Sequence, residues 1–206
     1  MDEARSVRDF WFGTVPLTAD ALNGRIRFWY GDTACALRQR RDEHIRVRFG
    51  ELLERAAEGE LSAWADGPRR RLSLIILLDQ FPRSIYRGTA RAFAYDAQAL
   101  GLTLSGMQSA ADAALTVVER IFFYMPMQHA ERPEVQEESV AAYRRLLSEA
   151  PEELREHFAG ALRSAENHHS IIERFGRFPH RNRALGRAST PAELEWLRAG
   201  GASFGQ

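Results

Sequence analysis

The sequence of 206 residues contains no lysine, and all 28 of its basic residues are arginine. This absence excludes a lysine Schiff base or a lysine nucleophile. It also excludes a P-loop, whose lysine contacts the bound phosphates. The 28 acidic residues balance the arginines, so the formal net charge is zero. Because nucleic-acid-binding proteins usually carry a clear basic excess, we predict no nucleic-acid partner.

Cysteine is nearly absent as well, since Cys35 is the only one. A single cysteine excludes a disulfide within the chain and a CxxC metal or redox site. The first residues are rich in charge and lack the apolar run of a secretory signal. The most apolar run, residues 72–78, is far shorter than the roughly 20 residues that cross a bilayer. We therefore expect a cytoplasmic protein with no membrane partner.

Several catalytic and cofactor signatures are also missing. The sequence has no HExxH, GxSxG or GxGxxG motif and no aspartate-rich calcium loop. No cofactor and no metal are predicted.

The residues that are present predict helices throughout the chain. Val and Ile are sparse, alternating patterns are absent, and Ala, Leu, Arg and Glu dominate. Pro82, Gly101 and Pro126 are expected to end or bend three of the helices, and Thr18, Thr89 and Thr190 to cap three others. No linker interrupts the pattern, so we predict one all-α domain over residues 1–206, built of antiparallel hairpins. The predicted helices cover residues 4–12, 18–30, 42–58, 69–81, 90–100, 112–124, 133–150, 151–175 and 191–199.

The stretch LLDQFPRSIYRG places a carboxylate at the end of an apolar run. Asp79 is expected at the edge of the core, where a buried carboxylate needs a cation or several donors. Arg83 and Arg87 follow at intervals of four residues. Two interpretations remain open: Asp79 orients an arginine that binds an anionic ligand, or it pairs internally to fix the corner of the helix.

Two histidine stretches are further candidates. In YMPMQHAERPEVQ, His129 and Glu131 lie in a connection between helices, where site residues are common; a structural cap pair is the alternative. In ENHHSIIERF, the predicted apolar face has His168 and His169 on its two flanks. Glu166 and His169 have a Glu-x-x-His spacing, but no second such pair exists to complete a di-metal site.

The segment after Glu173 is unusually basic. Residues 174–192 contain five arginines and no acid, together with His180 and Asn182. Such a segment could hold a phosphate or carboxylate by bidentate contacts. Acids elsewhere in the chain, such as Asp79, Asp96 or Glu131, could equally neutralise it.

Three stretches, LLDQFPRSIYRGTARAF, YMPMQHAE and IIERFGRFPHRNRALGRAST, resemble an uncharacterised bacterial family known only as a domain of unknown function. The resemblance covers nearly the whole chain, and the string FGRFPHRN is long and specific. It implies a right-handed α-α superhelix of antiparallel helical hairpins, tetratricopeptide-like but without regular repeats. It also implies that His168, rather than His169, is the histidine of interest. It implies no reaction.

The function hypothesis is a helical scaffold that binds an anionic small ligand or a peptide terminus in an Arg/His-lined pocket. The alternatives are a hydrolase-type enzyme with a histidine general base and arginine clamps, and an interaction module with an internal Arg–carboxylate network. Self-association into a homo-oligomer is left open. The candidate ligand-binding residues are Asp79, Arg83, Arg87, His129, Glu131, His168, Arg177, His180, Arg181, Asn182 and Arg187.

Overall fold

The computed structural model describes residues 2–13, 19–30 and 35–204. Within these ranges the chain forms α-helices joined by short 3₁₀ and π segments, and it contains no strand. The all-α prediction is therefore confirmed. The α-helices are α1 (Glu3–Phe12), α2 (Ala19–Tyr30), α3 (Cys35–Ala57), α4 (Pro68–Ile75), α5 (Phe81–Ile85), α6 (Asp96–Gln108), α7 (Val117–Gln128), α8 (Pro133–Glu149), α9 (Arg155–Phe175) and α10 (Pro191–Arg198).

Helix starts follow local side-chain chemistry. Asp2 caps α1, and capping boxes begin α7 with Thr116 and Glu119 and α10 with Thr190 and Glu193. Each box satisfies backbone N–H groups that have no partner within the helix. The predicted cap at Thr190 is confirmed, whereas the predicted cap at Thr18 lies outside the described residues.

Several predicted boundaries were wrong. Helix α3 begins at Cys35, earlier than predicted, and α6 runs from Asp96 through Gly101 to Gln108. Residues 90–93 form only a 3₁₀ turn, and Thr89 makes no side-chain cap. Helix α7 continues through Pro126 to Gln128. At Gly101 and Pro126, tertiary packing outweighed the local tendency of glycine and proline to end a helix.

The chain stays helical across Pro82, which was expected to end or kink the helix. Between α4 and α5, residues Ile76–Gln80 form a π-helix. A proline removes one backbone hydrogen bond and crowds the carbonyl four residues earlier, and a wider π turn provides room for that ring. Single π turns of this kind are frequent at functional sites.

Helices α7, α8 and α9 pack each against the next in chain order, as helical hairpins do. Helix α4 packs on α1, α6 and α7, and α3 packs on α5. The finer tetratricopeptide-like superhelix, with its handedness, and the single domain over residues 1–206 remain predictions. No helix in the described parts of the chain is long and apolar enough to cross a membrane.

The apolar core has a large part and a small part. Aromatic rings from α1, α2, α3, α5 and α7 meet in the large part. The small part gathers Ile171, Ile172 and Phe178 beneath Phe175 and Trp196. The segment after Gly176 is thus anchored by its own apolar cluster, which fixes the polar side chains on both sides of Phe178.

Candidate functional site

Asp79 lies in the π turn and is completely buried. One of its oxygens is 2.7 Å from Nδ1 of His129 and 3.3 Å from the guanidinium of Arg83. The other accepts a hydrogen bond of 2.5 Å from the amide of Gln80. Burial alone would raise the pKa of Asp79, but the hydrogen bonds from His129 and Gln80 and the charge of Arg83 hold it well below its usual range. Asp79 is therefore an ionised carboxylate inside the protein.

The contact with Asp79 determines the state of His129. An ionised carboxylate only accepts hydrogen bonds, so Nδ1 of His129 must carry the proton. Burial and the charge of Arg83 lower the pKa of His129, so the ring is neutral near pH 7. Its Nε2 consequently holds a lone pair that can accept a proton. An imidazole held in one tautomer by a buried carboxylate is the arrangement of a general base.

Two further imidazoles accompany His129, and we call His129, His168 and His180 with Asp79 the histidine cluster. The ring centroids of His129 and His168 are 5.9 Å apart. Nδ1 of His168 lies 2.8 Å from the carbonyl of Ser164 and must donate to it. Burial lowers the pKa of both His168 and His180 to about 3, so both rings are neutral.

Aromatic side chains enclose these rings. Phe178 contacts His168 and His180 with centroid distances of 5.5 and 5.7 Å. Phe204, near the end of the described chain, stacks on His168 at 3.8 Å. This apolar cover is why protonation of the imidazoles is unfavourable.

Arg83 and Arg181 are linked through one carboxylate, that of Asp96. Arg83 forms two hydrogen bonds to Asp96, of 2.7 and 2.9 Å, and Arg181 forms one of 3.2 Å. The guanidinium of Arg181 also lies over the rings of Phe93 and Phe178, at 4.6 and 4.5 Å from their centroids. Burial lowers the pKa of Arg181 to about 10, which leaves it charged at neutral pH.

Glu131 ties the arginine-rich segment to the loop after α7. Arg187 makes two hydrogen bonds to Glu131, of 2.6 and 2.9 Å, and the backbone N–H of Phe178 adds a third. Burial alone would raise the pKa of Glu131, but these donors lower it. Arg187 also donates to the side-chain oxygen of Asn182. Glu131 thus orients the segment that carries Phe178 and His180.

Glu193 performs two tasks at the start of α10. It completes the capping box with Thr190, and it accepts two hydrogen bonds from Arg177, of 2.6 and 2.9 Å. The side-chain amide of Asn182 also donates to it. The hydrogen bond from Arg177 lowers the pKa of Glu193 to about 2.

The structure therefore brings most of the predicted residues together. The 79–83, 129–131 and 168–187 stretches meet around the histidine cluster, and carboxylates of this chain pair with Arg83, Arg177, Arg181 and Arg187. Arg87 belongs elsewhere, because it pairs with Asp42 of α3 at 2.8 Å. Of the two interpretations of Asp79, the contacts match internal pairing.

Sequence reasoning missed several contributors. The candidate ligand-binding residues did not include Gln80, Phe93, Glu193 or Phe204. Asp96 was considered only as a counter-ion. The sequence places Phe-Pro beside basic residues at both Phe81 and Phe178. This similarity was one available signal for Phe178.

Two buried polar atoms of the site have no hydrogen-bond partner among the described residues: Nδ1 of His180 and Nε of Arg181. Buried polar atoms are normally satisfied, so these two are points where a ligand could bind. In the same described parts of the chain, no group of three or more His, Cys, Asp or Glu is placed to hold a metal ion.

Comparisons with known proteins agree with this fold. One solved structure, described as a protein of unknown function, ATU0120, from Agrobacterium tumefaciens, is 34% identical with a TM-score of 0.77, covering 96% of this chain and 97% of that one. A search of curated proteins gives no significant match. The family described as "Bacterial protein of unknown function (DUF924)" matches residues 7–201. The chain therefore belongs to the DUF924 family of bacterial proteins of unknown function.

Proposed function

We propose that the histidine cluster binds a small ligand and that His129 takes a proton from it. The observation that carries the proposal is the 2.7 Å contact between Nδ1 of His129 and the buried carboxylate of Asp79. It fixes the tautomer and leaves Nε2 free as a base. The unsatisfied Nδ1 of His180 in the same cluster supports a bound ligand. The reaction class that this arrangement suits is hydrolysis with a histidine general base.

The charges of the site bear on the kind of ligand. Four carboxylates, from Asp79, Asp96, Glu131 and Glu193, accompany Arg83, Arg177, Arg181 and Arg187, and the histidines are neutral. A site that is balanced by its own residues requires no anionic ligand for neutrality. An anionic ligand or a peptide terminus remains a prediction, which the unsatisfied Nε of Arg181 favours. The cytoplasmic location and any self-association also remain predictions.

The base can be tested by turnover. The purified protein would be assayed with 4-nitrophenyl acetate and 4-nitrophenyl phosphate, together with His129→Gln and a control, His169→Gln. Position 169 lies about 100° around α9 from His168. Loss of general-base catalysis reduces rates by about 10²–10⁴-fold, so His129→Gln should lose turnover and His169→Gln should keep it. Equal rates in all three proteins would contradict the proposal.

A second measurement needs no substrate. Long-range ¹H–¹⁵N NMR of the imidazoles distinguishes a protonated Nδ1 from a protonated Nε2. At pH 7 His129 should be neutral with its proton on Nδ1, and Asp79→Ala should abolish that preference. A charged ring, or a neutral ring protonated on Nε2, would rule out His129 as the base.

A further inference from the structure

A second feature, separate from the histidine cluster, is a cavity of about 240 Å³ between α2, α7 and α9. Its walls are mostly apolar, with Leu22, Ile26 and Trp29 on α2 and Ile121 and Met125 on α7. No Asp, Glu or Arg is among the described residues that line it, and its polar side chains are those of Tyr30, Gln128, His157 and Ser164. An apolar cavity of about 150 Å³ holds benzene. The cavity therefore has room for one ring with a small substituent.

One wall is held rigidly. Trp29 is almost completely buried, and its indole N–H donates a hydrogen bond of 2.9 Å to the carbonyl of Trp11. The same ring packs edge-on against Phe122 at a centroid distance of 4.6 Å. A side chain fixed at both its polar and its apolar edges cannot readily collapse into the space. The cavity is thus preformed, as small-molecule sites usually are.

The opposite wall is formed by α9, on which His157 is followed by the small residues Gly160, Ala161 and Ser164. Gly160 lies inside this helix with no backbone need for glycine, since its φ is negative. A Cβ at position 160 would meet nothing closer than 3.7 Å, the guanidinium of Arg163. Glycine inside a helix is unfavourable relative to alanine, and here a larger side chain would enter the cavity.

One polar pair in the lining, Ser164 and Gln128, has a defined hydrogen-bonding sense. The hydroxyl of Ser164 donates to the side-chain oxygen of Gln128 at 3.0 Å. The hydroxyl proton is therefore engaged, and the oxygen of Ser164 is left as an acceptor. A ligand that reaches it must bring a donor.

We propose that this cavity binds a small neutral molecule that has one apolar ring and one hydroxyl or N–H donor. The ring packs between Trp29 and the face of α9 at Gly160, and the donor binds Ser164. This site does not depend on the role of His129. It is, however, linked to the histidine cluster, because the carbonyl of Ser164 accepts the hydrogen bond from His168. Gln80 similarly joins Met125 to Asp79.

The test uses three probes, benzyl alcohol, benzyl methyl ether and benzoate, and follows the ε-methyl signal of Met125 by NMR. Benzyl alcohol should shift that signal saturably. The ether, which has no donor, should bind several-fold more weakly, and benzoate at least tenfold more weakly because a carboxylate loses its hydration in a mostly apolar lining. Equal affinities for all three probes would overturn the proposal. The absence of a saturable shift with benzyl alcohol would overturn it as well.

Filling the cavity provides the matched control. Gly160→Leu should weaken binding of benzyl alcohol at least tenfold while leaving the melting temperature unchanged or higher. Gly101→Leu, the same change inside α6 where a Cβ has open space, should bind as the natural sequence does. Undiminished binding in Gly160→Leu would place the ligand elsewhere. If that variant does not fold, Gly160→Ala serves instead, with an expected loss of a few-fold; no loss would overturn the proposal.

Discussion

At the scale of single residues, Asp79 is a buried charge whose partners are all side chains of the same protein. It accepts from His129 and Gln80 and lies beside Arg83, which is itself held by Asp96. Removing one partner of a buried pair destabilises because it leaves the other partner desolvated and uncompensated. Removing Asp79 should destabilise the protein less than removing one partner of an isolated buried pair, since Arg83 remains paired with Asp96.

We expect Asp79→Ala to lower the free energy of unfolding by about 3 kcal/mol. Asp79→Asn should lower it by about 1–2 kcal/mol, because the amide oxygen can still accept from His129. Urea denaturation at pH 7 measures both, and Asp66→Ala at an exposed position should change stability by less than about 0.5 kcal/mol. Equal effects of Asp79→Ala and Asp66→Ala would show that the buried carboxylate is not structurally coupled to its neighbours.

The two arginines at 183 and 187 offer a contrast within one segment. Arg187 holds Glu131 by two hydrogen bonds, whereas Arg183 is exposed. Arg187→Ala should reduce the free energy of unfolding by about 1–3 kcal/mol, because Glu131 loses two charge-assisted donors. Arg183→Ala should change it by less than about 0.5 kcal/mol. Denaturation curves that do not separate the two variants would contradict this role of Glu131.

The neutralisation of the arginine-rich segment was only partly predictable from the sequence. Its excess of arginine indicated that acids or a ligand must balance it, and the hypothesis of one Arg/His-lined pocket implied that the stretches meet. The partners could not be read from spacing, because Arg181 bonds to Asp96, which lies 85 residues earlier. The contact of Glu193 with Arg177 was not predictable, because the capping box with Thr190 is by itself a sufficient reason for an acid at that position. Pairings at such separations depend on how helices pack.

At the scale of helices, some local signals determined a boundary and others were overridden by packing. Thr190 and Glu193 determine the start of α10 through contacts within four residues, so the sequence was sufficient. Gly101 and Pro126 carry stop signals that packing of α6 and α7 overrides. Pro82 lies in a helix that widens into a π turn before it, and a proline by itself does not distinguish such a turn from the end of a helix. Where these helices end therefore depends on the side chains that pack against them from other parts of the chain.

Gly176 is a stop signal that does operate. It ends α9 in the left-handed region, with φ of 68°. Gly176→Ala should lower the free energy of unfolding by about 1 kcal/mol, because a Cβ is disfavoured at that φ. Gly101→Ala, inside α6, should instead raise it by up to about 1 kcal/mol. Chemical denaturation of the two variants should give changes of opposite sign; the same sign would mean that backbone conformation does not govern them.

At the scale of the whole molecule, the buried neutral histidines make stability depend on pH. Burial lowers the pKa of His168 and His180 in the folded state to about 3, against an ordinary value of 6.5. As pH falls through 6.5, these two histidines bind protons in the unfolded chain but not in the folded protein. Stability is therefore lost in that window, whereas the acids of the unfolded chain titrate only near pH 4.

Between pH 7 and pH 5, each of these two histidines should lower the free energy of unfolding by about 2 kcal/mol. This value follows from a loss of roughly 1.4 kcal/mol for each pH unit below 6.5. His129 should add to the loss, because its pKa is lowered in the same direction. Urea denaturation at both pH values measures the total. His168→Gln should shrink the loss by about 2 kcal/mol, since glutamine does not titrate, while Ser170→Ala on the exposed side of α9 should leave it unchanged. A loss of equal size in His168→Gln would mean that this ring takes up its proton in the folded protein, and the aromatic cover from Phe178 and Phe204 would then not keep it neutral.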